Sequence, residues 1–86
     1  ETPDDDDLRA LLELLREADE GREFEPGVRF TAGAVVLRRR DGAQVLATFG
    51  TLEQLTHLRE RGQATEVAPG VFCITAAGRQ ALRAAG

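Results

Sequence analysis

The chain has 86 residues, enough for one small domain. Its net charge of −4 and pI of about 4.9 oppose the positive charge that phosphate neutralisation asks of an isolated nucleic-acid binder. Asp4 to Asp7 supply four of the negative charges, however, so the rest of the chain is close to neutral. There is no Trp, Tyr or Met, and the four phenylalanines, Phe24, Phe30, Phe49 and Phe72, are the large ring anchors expected inside. The single cysteine, Cys73, excludes an internal disulfide and sits in an apolar run, so it is expected to pack as a small core residue. No apolar run approaches the roughly 18 residues of a membrane span. With no signal-peptide pattern either, the expected setting is the cytoplasm. The Glu-Thr-Pro start reads as an excised domain or a processed chain.

Residues 1–7 read as an acidic disordered tail, with the domain itself over 8–86. Leu8, Leu11, Leu12 and Leu15 fall at i, i+3, i+4 and i+7 and predict a helix over 7–19, capped by Asp6 or Asp7. Its leucine stripe is suited to a core or to a helix-to-helix contact in a homodimer. Residues 20–33 form a connection with a turn at Pro26-Gly27 and a short strand at Val28 to Phe30.

Residues 34–49 admit two readings. Asp41-Gly42 between two apolar runs is a hairpin signal. The same residues also fit a strand followed by a helix that carries Val45, Leu46 and Phe49. Periodicity does not separate the two in so short a run.

Thr51 and Gln54 form a capping box for a helix over 51–61, with Leu52, Leu55 and Leu58 on one face and Gly62 as its left-handed stop. Residues 64–75 predict two short strands around Pro69-Gly70, with apolar side chains from Val67, Val71, Phe72 and Ile74. Thr75 then caps a last helix with a weak inner face of Ala77, Ala81, Leu82 and Ala85. Gly78 inside it costs about 1 kcal/mol against Ala, so that helix needs tertiary contacts.

Leu55, Leu58, Arg61, Gly62, Ile74, Thr75, Gly78 and Arg79 carry a resemblance. Over Thr51–Leu82 the chain resembles the C-terminal half of bacterial winged-helix regulators of the MarR and PadR type. The resemblance implies an α+β fold: a small winged-helix-like domain with helices packed on short antiparallel hairpins. It also implies a non-enzymatic DNA-binding, transcription-regulator-like role, with the helix 51–61 in the major groove and the 69–70 hairpin on the backbone or minor groove. The alternative is a protein- or peptide-interaction module on the same scaffold, part of a larger protein, without nucleic-acid contact. It would use the sheet edge or the Leu8–Leu15 helix. The segment GAVVLRRRDGAQVLA resembles the opening hairpin of Nudix hydrolases, but the glutamate-rich metal box of that family has no counterpart here.

The residues expected to meet DNA or a partner are Arg38, Arg39 and Arg40, the one basic cluster, with Gln54, Thr56, His57 and Arg61 on the helix. Two features oppose phosphate contact: the hairpin has no Lys or Arg and carries Glu66, and Glu53 and Glu60 offset Arg59 and Arg61. His57 has no companion ligands at metal-site spacing and no nucleophile beside it. No catalytic residue, metal or cofactor is expected.

Overall fold

A computed structural model describes residues 4–85, and of Ala85 only the backbone. The chain is an α+β domain in the order α1 (Asp5–Glu20), β1 (Val28–Thr31), β2 (Ala34–Arg38), β3 (Gln44–Leu46), α2 (Leu52–Glu60), β4 (Ala64–Ala68), β5 (Val71–Ile74) and α3 (Ala76–Ala85). The strands form one antiparallel sheet in the spatial order β3-β2-β1-β5-β4. Of the two readings of 34–49, the structure adopts the hairpin: Arg38 pairs with Gln44, and the Asp41 carboxylate accepts from the Ala43 N–H at 2.9 Å to close the turn.

Helix α1 starts earlier than its apolar stripe. Asp4 is the cap, accepting from the Asp6 N–H at 2.9 Å, and Asp5, Asp6 and Asp7 lie in the first turn. The acidic run is therefore helix from Asp5 onward rather than tail, because carboxylates there complement the positive end of the helix dipole. Residues 1–3 of the expected tail lie outside the described residues.

Leu8, Leu11, Leu12 and Leu15 are at most 3% exposed. They are core, each worth roughly 1.5–3 kcal/mol of burial, and offer no free stripe for a helix-to-helix dimer. They meet Val28, Val35, Leu37, Phe72 and Ile74, the strand residues that alternate onto one face, together with Leu55 and Leu58 of α2 and Leu82 of α3. All three helices thus cover the same face of the sheet. On the other face Val36 is also buried, and its cross-strand neighbours there are Arg29 and Leu46. The Arg29 Nη1 is buried without a hydrogen-bond partner among the described residues.

Strands β3 and β4 are opposite edges of the sheet, so residues 47–63 cross the helix-covered face and α2 lies in that crossing. Gly50 marks the close approach. Its φ is 105°, and a Cβ there would stand 2.8 Å from Val35 Cγ2.

The end of α2 and the start of α3 are tied together by Thr75. Its hydroxyl donates to the Gly62 carbonyl at 2.6 Å and accepts from the Gly78 N–H at 3.1 Å, while its own N–H donates to the Gln63 carbonyl at 3.1 Å. Gly62 has the expected left-handed φ of 77°. Gly78 is buried because α3 lies directly on the chain, and a Cβ would run into the Gln63 carbonyl oxygen. The tertiary contacts that α3 needs are thus made at the glycine itself. Arg79 adds ion pairs to Asp19 and Glu20 at the end of α1.

Several apolar residues sit differently from expectation. Phe72 alone of the phenylalanines is fully buried; Phe24 and Phe30 are half-buried, and Phe49 is exposed. Leu52 does not share the buried face of Leu55 and Leu58. Val67 points outward because the β4–β5 register shifts between Glu66 and Ala68. In α3 the inner face is Gly78, Ala81 and Leu82, and Ala77 is exposed. The Ala85 side chain, also expected inside, lies outside the described residues.

Candidate interaction surface

The three adjacent arginines lie where β2 runs into its turn, and all are exposed. Residues 23–25 run antiparallel beside 38–40: Glu25 N–H donates to the Arg38 carbonyl at 2.8 Å and Arg40 N–H to the Glu23 carbonyl at 2.9 Å. This local ladder brings acids to the arginines. Arg38 Nε is 3.4 Å from Glu25, and Arg39 Nε is 3.7 Å from Asp41. Arg40 has no acidic partner among the described residues. The Arg38–Glu25 match depends on register, so it does not show in the sequence of the arginine cluster.

Helix α2 shows the same matching. Arg59 Nη1 is 2.8 Å from Glu66 Oε1, and the other Glu66 oxygen accepts from the Gly70 N–H at 2.9 Å. Glu66 therefore braces the 69–70 turn and neutralises Arg59. Arg61 Nη2 is 3.5 Å from Asp5 Oδ1. The Gln54 side chain accepts from the Thr51 N–H at 3.1 Å in the expected capping box. Thr56 and His57 are half-buried.

The basic cluster and the 69–70 turn do not form one surface. Arg38 is level with Gly27 and Cys73, at the end of the sheet where β5 leaves for α3. The 69–70 turn lies at the opposite end, beside Phe30. Strand β2 is three steps from β4 in the sheet order, about 14 Å at ordinary strand spacing.

Among the described residues, the large apolar side chains left exposed, apart from Val67 on β4, lie in a different segment. Val45 is 38% exposed, Leu46 67%, Phe49 43% and Leu52 46%. These four residues fall within eight positions, on edge strand β3 and the turn into α2. The ladder fixes which backbone groups are free. Arg39 N–H donates to the Ala43 carbonyl at 2.7 Å and Ala47 N–H to the Val35 carbonyl at 2.9 Å. By the antiparallel alternation Val45 also bonds inward, and the N–H and C=O of Gln44 and Leu46 point out of the sheet. Val45 faces the helix side and Leu46 the other side, as their partners Leu37 and Val36 do. Sequence reading named a sheet edge as a possible interaction surface but not this one: Phe49 was expected inside, Leu52 on the apolar face of its helix, and Val45 and Leu46 were given no face. The available signal was an unbroken Val-Leu-Ala run, apolar on both faces of a strand too short to be covered on both.

Cys73 is half-buried on β5. Burial pushes its thiol pKa up, and Asp19 adds to the rise, so the thiol stays protonated at neutral pH. Among the described residues no group of three His, Cys, Asp or Glu is placed to hold a metal, and no helix is long and apolar enough to cross a membrane. No protein-family model, curated protein or solved structure matches the chain.

Proposed function

We propose that this chain is a non-enzymatic interaction domain on a winged-helix frame, binding a protein partner through the β3 edge. The frame is supported by strand order. β1, β5 and β4 are neighbours, α2 precedes the β4–β5 hairpin and α3 follows it, the order of helix, wing and helix in the MarR and PadR resemblance. The β2–β3 hairpin stands where a middle helix would be expected.

The observation that carries the function is the contrast in exposure. Val45, Leu46, Phe49 and Leu52 are open, whereas Arg38, Arg39, Arg59 and Arg61 all face carboxylates. Exposed apolar residues gathered in one segment of the surface mark interaction sites.

Two measurements test this. A photo-crosslinking residue at Leu46 is expected to capture polypeptide adducts in cell extract, and one at the exposed Gln80 of α3 none. The 86-residue chain is expected to leave duplex DNA unretarded at low salt. Retardation that falls steeply with salt and drops on Arg40→Ala would overturn the reading in favour of DNA. What favours that second reading is the polar side of α2, with Thr56 and His57 beside the hairpin.

A further inference from the structure

We infer that the β3 edge takes an extended peptide as a sixth, antiparallel strand, one that carries two adjacent apolar residues followed by acidic residues toward its C-terminus. The inference rests on the reading of the β3 edge as the interaction surface.

The backbone argument comes first. Gln44 and Leu46 present two N–H and two C=O groups outward, an unfilled half of a ladder. A strand laid antiparallel along them satisfies all four, as in edge-strand addition generally. The existing sheet is antiparallel throughout, and that pairing is slightly the more stable.

Side chains then set the peptide's composition. The peptide residue opposite Leu46 lies beside it on the helix-free face. The next residue lies opposite Val45, beside it on the helix-side face. Two adjacent apolar residues therefore each cover exposed apolar surface, one per face.

Charge sets the direction. An antiparallel peptide runs toward the start of β3, so its later residues pass Ala43 and the turn. At that corner Arg38 and Arg39 lie near Glu25 and Asp41, and Arg40 is exposed. Asp41 is the carboxylate nearest the peptide's path. It is already engaged by the Ala43 N–H and lies near Arg39, while Arg40 has no acidic partner among the described residues.

A second copy fits less well. Strand β3 has three residues, far short of the roughly 1,200 Å² or more that a stable interface buries, and two copies of an acidic chain repel.

The test uses the full chain and the blocked, fluorescent hexapeptide Ser-Val-Ile-Thr-Asp-Asp. Saturable binding is expected, with the amide signals of Gln44 and Leu46 shifting and gaining protection from exchange. Reversing the peptide's order, or replacing its aspartates by asparagine, weakens binding by roughly fivefold, the scale of an exposed charge contact. Arg40→Glu does the same. Leu46→Pro removes an outward N–H without touching the inward ladder, and abolishes binding. N-methylation of the peptide at the bonds facing β3 does so with the protein unaltered. Absence of saturable binding at millimolar peptide, or indifference to N-methylation, overturns the inference. If Leu46 still crosslinks to polypeptides in that case, the interaction reading stands and only the peptide assignment falls. A concentration-dependent dimer that Leu46→Pro dissolves also overturns it, in favour of a second copy.

Discussion

The two edges of the sheet are built differently. Strand β4 is held by α2, is bent by a register shift, and carries Glu66, which bonds both Arg59 and the Gly70 N–H. Charge and a bulge are the usual ways to make an edge unattractive to another strand. Strand β3 has neither. It is short, which itself blunts an edge, but it bears Val45 and Leu46 in the open, as β4 bears Val67. Stability is invested around the first edge and availability is left at the second, so substitutions on the two sides should separate stability from binding.

The largest contrast lies within one helix. Leu55→Ala is expected to cost about 2–5 kcal/mol, because it opens a cavity in the core. Leu52→Ala, one turn earlier, should cost less than about 0.5 kcal/mol. Urea denaturation of both variants checks this; equal losses would mean that α2 sits on the sheet in another rotation.

Gly78→Ala comes next. Helix propensity alone predicts a gain of about 1 kcal/mol. The Gln63 carbonyl and Ile74 side chain in the way predict a net loss instead. The sign of the shift in melting temperature decides between them. Thr75→Val keeps the shape but removes the cap and the bond to Gly62, for an expected loss of about 1–2 kcal/mol.

Glu66→Gln should have a smaller effect. The Arg59–Glu66 pair is partly exposed, so a loss of less than about 1 kcal/mol is expected, shrinking as salt rises. The smallest change in stability belongs to the β3 edge. Leu46→Thr is expected to shift unfolding by no more than about 0.5 kcal/mol while reducing crosslinking from Phe49. A large loss of stability there would mean that Leu46 is packed after all.

Much of the fold was legible before any coordinates. The leucine spacing of α1, the Thr51–Gln54 box, the left-handed Gly62 and the Thr75 restart are local. Each depends on residues within about four positions, where backbone geometry and hydrogen-bond reach leave few options. The start of α1 was misread because acidic composition suggested a tail, whereas the same carboxylates favour a helix N-terminus. Of the candidate contact residues, the exposure of Arg38 to Arg40 was foreseen and their carboxylate neighbours were not.

The sequence by itself determined where α2 starts and stops, where α3 starts and which segments are apolar. It also carried both readings of 34–49, and it could not choose, since one short run satisfies either period. Tertiary structure made the choice, by giving β2 a partner in β1 on one side and β3 on the other. It likewise decided which charges cancel, as Glu25 meets Arg38 and Glu66 meets Arg59 only through register and the crossing of α2. It decided, finally, which apolar residues are left over. Leu52, Phe49 and Leu46 carry the same chemistry as Leu55, Phe72 and Leu37. A sheet of five strands with helices on one face has edges, and at the β3 edge no neighbour among the described residues covers these side chains.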